Sequence, residues 1–115
     1  ITFIGVDSGL NHLIRPMMYD AYHHIMNIST TQAETATYNV VGNICETDTL
    51  GAERILPITK VGDILSFYNA GAYGFTMASN YNARVRPAEV LVENGKARLI
   101  RRRENLDDLL RTQIL

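Results

Sequence analysis

The single cysteine of this chain stands beside a carboxylate, where an apolar run gives way to polar residues. The pair is Cys45 and Glu46, in the stretch VGNICETD at residues 41–48. The negative charge of Glu46 disfavours a thiolate, so this thiol is a poor nucleophile, but it can donate a proton or lie against a cationic substrate. In the alternative interpretation, Cys45 is a small buried hydrophobe and Glu46 is a solvated acid.

Three further side chains are candidates for a binding site. The planar guanidinium of Arg15 matches a carboxylate or phosphate, and Tyr19 follows four residues later. Because Pro16 biases the residue before it towards extended backbone, we expect Arg15 in a loop between strands, within an irregular or single-turn segment. Tyr73 lies in the stretch GAYG, whose glycines permit a close approach to another group, so we expect its ring to be held in place. Alternatively, Arg15 is a surface charge and Tyr19 is half-buried packing.

The remaining candidates form no complete catalytic or metal-binding set. His12, His23 and His24 have no metal-ligand spacing with a second cluster, and no nucleophile triad, acid–base pair or phosphate-binding glycine loop is complete. The arginines at 101–103 are balanced by neighbouring carboxylates, which is typical of a solvated strand end. We therefore expect no metal, and at most half of an active site.

Composition predicts one domain that works in the cytoplasm. The chain has 115 residues, 46% of them hydrophobic, a net charge of -1 and a pI near 6.3. This charge gives no bulk attraction to nucleic acid or to an anionic membrane. One cysteine forms no internal disulfide, and no apolar run approaches the roughly 20 residues that span a bilayer. Because the sequence begins without methionine in a strand-like run, we expect it to be a piece of a longer protein with a missing partner upstream.

The elements that must position these side chains are mostly short strands. Alternating apolar and β-branched residues predict strands at 2–6, 23–28, 35–44, 64–68, 88–92 and 96–101, while 50–57 is ambiguous because Gly51 argues against a firm helix. Asn94-Gly95 between the last two runs predicts a β-hairpin. Leucines at helical spacing predict a short terminal helix within 104–115. The fold class is therefore a mainly β barrel or sandwich with a short C-terminal helix.

An ordered set of motifs along the whole chain carries a family resemblance. They are VDSGLN at 6–11, LIRP at 13–16, YDAYH at 19–23, VG at 41–42, CE at 45–46, GD at 62–63, GAYG at 71–74, SNYN at 79–82 and RPAEVL at 86–91. Together they resemble the C-terminal domain of the diaminopimelate decarboxylases. Thr47 stands where serine is common, and Val85 interrupts the usual Arg-Pro-Arg-Pro run; both departures leave the site residues intact.

The resemblance implies that residues 1–115 are the C-terminal β-barrel domain of a two-domain enzyme. The family uses pyridoxal 5'-phosphate to convert meso-2,6-diaminopimelate to L-lysine and carbon dioxide, in the last step of lysine biosynthesis. Its N-terminal α/β barrel supplies the lysine that binds the cofactor and the phosphate-binding glycines, and neither is visible here. It acts as a homodimer with shared active sites. The chain is then expected to be inactive by itself.

The resemblance also assigns roles to individual residues. Arg15 grips a substrate carboxylate together with Tyr19, and Tyr73 contacts both cofactor and substrate. Cys45 donates the proton after decarboxylation, while Glu46 meets the distant amino group of the substrate. One subunit lends this last pair to the site of the other subunit.

Two other functions stay open on the sequence. Related decarboxylases of ornithine and arginine typically have Cys-Asp at this place, so Glu46 favours diaminopimelate, and the runner-up is a related decarboxylase of basic amino acids or carboxynorspermidine. A non-enzymatic β-barrel binding or structural module belongs to another class. The upstream sequence would separate them, because a barrel with a lysine near its start supports an enzyme.

Overall fold

The computed structural model describes residues 1–45 and 48–114, and this part of the chain is mainly β. Its elements are β1 (Thr2–Gly5), α1 (Arg15–Tyr19), β2 (Ile25–Asn27), β3 (Thr35–Val41), β4 (Thr49–Pro57), β5 (Leu65–Phe67), a 3₁₀ turn (Tyr81–Ala83), β6 (Glu89–Glu93), β7 (Lys96–Arg101) and α2 (Leu106–Leu110). The predicted mainly β class is confirmed. In the described residues the strands form three separate sheets that do not close into a barrel, so the predicted barrel is not confirmed.

The largest sheet has three strands in the order β1-β3-β4. The edge strand β1 runs parallel to β3, and β3 runs antiparallel to β4. β4 is the longest strand, although its sequence pattern was ambiguous. Gly51 faces Val40 at a shift in register, and a Cβ atom there would lie 2.7 Å from the Cδ1 atom of Ile25. Gly51, which makes the sequence pattern of this strand ambiguous, therefore makes room for the side chain of a neighbouring strand.

The core lies between this sheet and the two-stranded antiparallel sheet of β2 and β5. Its buried members come from both sheets: Ile25, Tyr38, Val40 and Leu56. The partly buried Ile4, Val6, Ala36, Leu65 and Phe67 pack against them. Removing each large apolar side chain from water contributes about 1.5–3 kcal/mol, which makes this two-layer contact the main support of the fold.

The predicted hairpin at Asn94-Gly95 is confirmed. β6 and β7 pair antiparallel, and the two turn residues have φ angles of 51° and 72°. A two-residue turn with both φ angles positive matches the twist of the flanking strands, and asparagine and glycine adopt that backbone most readily.

Both predicted helical segments are present, α1 as about one turn and α2 within 104–115, but the placement of Arg15 is wrong. Arg15 does not lie in a loop: it is the first residue of α1, where Pro16 is tolerated because first-turn N–H groups have no helical partner. The turn closes where the N–H of Asp20, at φ 53°, donates to the Arg15 carbonyl. The predicted short terminal helix is confirmed as α2, and its start is fixed by reciprocal side-chain and backbone hydrogen bonds between Asn105 and Asp108.

Candidate functional site

Arg15 and Tyr73 are in contact. The Cζ atom of Arg15 lies over the Tyr73 ring, 5.0 Å from its centre, which is cation–π geometry. One helical turn separates Arg15 from Tyr19, so both side chains leave the same side of α1. Both phenols are exposed, Tyr19 by 61% and Tyr73 by 54%. The structure therefore gathers a guanidinium and an aromatic ring, with a second phenol close by, on an open surface that suits a carboxylate.

The backbone around Tyr73 is a run of tight turns. The N–H of Gly74 donates to the Ala70 carbonyl at 2.7 Å, and that of Met77 donates to the Tyr73 carbonyl at 3.1 Å. A Cβ atom at Gly74 would lie 2.6 Å from the Ala70 oxygen, so only glycine fits there without a shift. Gly71 instead has open space around its missing Cβ. Gly74 is therefore needed by the turn itself, and Gly71 leaves room for another group.

Cys45 lies in the connection between β3 and β4. The predicted strand at 35–44 ends at Val41, and the thiol four residues further on is exposed. The alternative that Cys45 is a buried hydrophobe is therefore wrong. Glu46 and Thr47 lie outside the described residues, so the role predicted for Glu46 remains a prediction.

A buried carboxylate that we did not identify from the sequence anchors this connection. Asp48 is 4% exposed, and its two oxygens accept hydrogen bonds from the N–H groups of Leu10, at 2.6 Å, and Ile44, at 2.8 Å. A Cβ atom at Gly42 would lie 2.1 Å from the Asp48 carboxylate, and one at Gly9 would lie 2.5 Å from it. The two glycines make the space that this carboxylate fills. The residue before Cys45 is thus tied down by Asp48.

The Cys45 thiol contacts a residue of a distant turn. The Nδ2 atom of Asn82 donates to the Sγ atom of Cys45 at 3.6 Å. Asn82 and Ala83 both have positive φ angles, 59° and 56°, inside the 3₁₀ turn. The sequence marked this asparagine only as part of the SNYN motif, and its contact with Cys45 joins residues 37 positions apart.

Glu104 holds that turn from both ends. Its Oε2 atom accepts hydrogen bonds from the Asn80 amide at 2.7 Å and from the Arg86 N–H at 2.8 Å. Its Oε1 atom accepts from the Arg86 Nε atom at 2.7 Å. The hydrogen bond from the Arg86 guanidinium is the main reason why the pKa of Glu104 falls to about 2. The segment that carries Asn82 is therefore clamped by an ionised carboxylate.

The predicted site residues that the structure describes thus fall into two groups with different chemistry. Arg15, Tyr19 and Tyr73 form a surface that can bind an anion, and Cys45 with Asn82 forms a place where a proton can be held. Within residues 1–45 and 48–114, no three His, Cys, Asp or Glu side chains gather to hold a metal ion. In the same part of the chain, no helix has the length and apolarity to cross a membrane.

Comparison with known proteins identifies the class to which this fold and site belong. Residues 1–71 match the model of the pyridoxal-dependent decarboxylase C-terminal sheet domain. The chain belongs to this family. The resemblance seen in the sequence motifs is thereby confirmed.

Three similar proteins share the name diaminopimelate decarboxylase. Over 113 residues the chain is 51% identical to the diaminopimelate decarboxylase of Neisseria meningitidis serogroup B, a match that covers 97% of this chain and 27% of that protein. It is 52% identical over 106 residues to the enzyme of Aquifex aeolicus, covering 91% of this chain and 25% of that protein. The crystal structure of the diaminopimelate decarboxylase from M. jannaschii in co-complex with L-lysine superposes with a TM-score of 0.92 and 42% identity, over 98% of this chain and 26% of that one. The chain therefore spans about a quarter of the length of these relatives.

The residues present fit one side of a pyridoxal cofactor. The half-exposed Tyr73 ring and the open space beside Gly71 leave room for a flat, anionic group against this turn. Both lysines of the chain, Lys60 and Lys96, are exposed, and Lys96 belongs to the hairpin strand β7. This domain could thus contact the cofactor through Tyr73, and neither of its two lysines is buried.

Proposed function

We propose that residues 1–115 form the C-terminal domain of a two-domain, pyridoxal-dependent diaminopimelate decarboxylase. The whole enzyme converts meso-2,6-diaminopimelate to L-lysine and carbon dioxide. The observation that carries this proposal is the contact of Arg15 with Tyr73, with Tyr19 on the same side of α1, because it makes a carboxylate-binding surface out of the three residues that the family resemblance selects. The names of the relatives support the choice of substrate.

In this proposal the surface around Arg15 binds the substrate. The planar fork of Arg15 donates two parallel hydrogen bonds to a carboxylate, and the cation–π contact with Tyr73 restrains the position of the guanidinium. Tyr19 adds a phenol donor from the same helical turn. When one carboxylate is bound in this way, the other end of the substrate is free to bind other residues.

Pyridoxal 5'-phosphate supplies an electron sink for the loss of the carboxylate when it is bound. Tyr73 is the residue of this chain that would touch it, in the open space beside Gly71. The lysine and the phosphate-binding glycines belong to the N-terminal domain in this proposal. Further chain would also complete the barrel, of which the three sheets described here form a part.

Cys45 and Glu46 would act in the active site of a second subunit. The Cys45 S–H bond breaks, its proton goes to the carbon that lost the carboxylate, and the electron pair stays on sulfur. Glu46 pairs with the distant ammonium group of the substrate. The exposure of Cys45 supports this arrangement, since an exposed thiol on a tied-down loop can reach across an interface. We therefore expect a homodimer, and a reduced thiol of this kind suits the cytoplasm.

Substrate choice gives the first test. The full-length protein should release carbon dioxide from meso-diaminopimelate, and much more slowly from L-ornithine, L-arginine or carboxynorspermidine. Glu46→Asp should raise KM for meso-diaminopimelate, because the shorter carboxylate no longer reaches its ammonium group. Preferred turnover of ornithine or arginine would replace the proposal by its runner-up. A full-length protein that decarboxylates none of these compounds would favour the binding module.

Mixing two inactive variants tests the shared site. One full-length variant carries Cys45→Ala, and the other lacks the cofactor-binding lysine. After subunit exchange, one site of the heterodimer combines an intact lysine with an intact cysteine, and part of the activity should return. A mixture that exchanges subunits without regaining activity above its parents would contradict the sharing of sites.

A further inference from the structure

The hydrogen bond from Asn82 to Cys45 has no role in the proposed function as stated so far. We infer that Asn82 is a positioning residue that aims the Cys45 thiol and stabilises the thiolate left after proton donation. This inference rests on the role proposed above for Cys45. It assigns a task to the SNYN motif, which the binding surface around Arg15 does not explain.

The chemistry of the hydrogen bond favours this role. An amide N–H is a donor without a proton to give away at neutral pH, whereas a thiol sulfur is a weak acceptor and a thiolate a strong one. The 3.6 Å contact from Nδ2 to Sγ therefore strengthens as the S–H bond breaks. The proton passes to the substrate carbon, the electron pair remains on sulfur, and the Asn82 amide keeps all its hydrogens. The asparagine thus lowers the free energy of the state that follows transfer.

The backbone of the turn is shaped for this contact. Asn82 and Ala83 follow one another in the left-handed region, at φ 59° and 56°. Asparagine visits that region readily, but alanine does so at a cost, so the surrounding structure must hold the turn. The bonds of Glu104 to Asn80 and Arg86, on either side of the turn, do so. The strained backbone at Ala83 has a purpose if this turn directs the Asn82 amide at the sulfur of Cys45.

Both ends of the contact are fixed independently. The thiol follows Ile44, whose N–H is bound by the buried carboxylate of Asp48 at 2.8 Å. The amide belongs to a turn clamped by Glu104 from a different part of the chain. Two anchored segments that converge on one sulfur define its position better than a single flexible loop could.

The test compares three variants of the full-length enzyme. Asn82→Gly keeps the left-handed backbone and removes the amide, and Asn82→Asp keeps the shape but places an acceptor against the sulfur. Asn94→Gly is the matched control, since Asn94 has φ 51° in the hairpin turn. The measurements are the rate of Cys45 alkylation by iodoacetamide, followed by mass spectrometry of its peptide, and kcat and KM for meso-diaminopimelate.

We expect both Asn82 variants to alkylate about 3- to 10-fold more slowly at pH 7, because less thiolate is present, with the loss in thiolate partly offset by higher intrinsic reactivity. Their kcat should fall about tenfold while KM stays within about twofold. A purely structural role would change KM along with kcat or expose the thiol to faster alkylation. The Asn94→Gly control should match the wild type.

Two outcomes would overturn the inference. One is wild-type alkylation and kcat in Asn82→Gly, and the other is the same result in Asn82→Asp, which covers the case that glycine loosens the turn. Cys45→Ala separates this from a failure of the proposed function. If Cys45→Ala retains wild-type kcat, the role of Cys45 as proton donor is wrong; if Cys45→Ala is impaired and Asn82 variants are not, only the inference about Asn82 fails.

Discussion

Arg15 and Tyr73 form a cation–π contact at the protein surface. The guanidinium carbon lies over the phenol ring, 5.0 Å from its centre, and Tyr73 is 54% exposed. A guanidinium has five N–H donors, and a cation–π contact with one ring leaves donors open to other groups. The contact therefore orients the arginine without using up the groups that bind a carboxylate. This is what a substrate-binding arginine on an open surface requires.

Replacing Arg15 by lysine should weaken substrate capture more than turnover. Lysine keeps the positive charge but loses the planar fork, so kcat/KM of the full-length enzyme should fall about 10- to 100-fold, mainly through a higher KM. Steady-state kinetics with meso-diaminopimelate measure this. Arg98→Lys, on an exposed position of β7, is the control and should leave both constants unchanged. An unchanged KM in Arg15→Lys would show that this guanidinium does not bind substrate.

Removing the charge of Asp48 should destabilise the domain. In Asp48→Asn one of the two carboxylate oxygens becomes an NH₂ group, which faces the N–H of Leu10 or of Ile44 and leaves a buried donor without an acceptor. The expected loss is about 1–3 kcal/mol in the free energy of unfolding. Urea unfolding monitored by circular dichroism measures it. Asp107→Asn, on the exposed side of α2, should change the midpoint little; equal midpoints for the two variants would contradict the anchoring role.

Local sequence patterns predict the fold correctly where neighbouring residues alone determine the conformation of an element. The Asn94-Gly95 turn, for instance, needs only two residues that accept positive φ, and it appears as predicted. The sequence pattern of β4 is ambiguous because it contains Gly51. This glycine makes room for the Ile25 side chain of another strand, and a local sequence pattern does not reveal such a contact. For Arg15, the extended bias of a residue before proline predicts a loop, but proline also fits a first helical turn, and this second preference decides the structure.

The site divides in the same way. Residues with distinctive chemistry, such as Arg15 and Cys45, stood out by type and by their place in family motifs. Asp48, Asn82 and Glu104 did not, because their importance lies in contacts with residues far away in the sequence. The glycines at 9 and 42 were a possible signal for Asp48, since both lack the side chain that would fill its place. Pairing them with this carboxylate still required the folded structure.

The 115-residue chain should be inactive by itself. Its two lysines are both exposed, so it offers no enclosed amine for the cofactor. Incubated with pyridoxal 5'-phosphate, the purified chain should neither develop the visible absorbance of a lysine-bound cofactor nor release carbon dioxide from meso-diaminopimelate. The full-length protein under the same conditions is the positive control. Turnover by the isolated chain would contradict the two-domain proposal.

The hydrogen bonds of ionised Glu104 predict how the stability of the domain depends on pH. The hydrogen bond from Arg86 lowers the pKa of this carboxyl from 4.5 to about 2 in the folded protein. A carboxyl with a depressed pKa stabilises the fold above its ordinary pKa, and this contribution is lost as pH falls towards the folded value. Wild type should therefore be more stable than Glu104→Gln at neutral pH, and the two should converge between pH 4.5 and about 2.

Urea midpoints measured across this pH range test the clamp, and only the difference between the two proteins is diagnostic. Both retain Asp108, whose pKa is lowered chiefly by the Arg102 fork, and Asp63, whose pKa is lowered chiefly by the N–H of Lys60, so both lose some stability in acid. Glu93→Gln, at the exposed end of β6, should run parallel to wild type at every pH. A constant gap between wild type and Glu104→Gln from pH 7 to about 2 would mean that the Glu104 side chain stabilises the turn through its shape, since protonation would then leave its contribution unchanged.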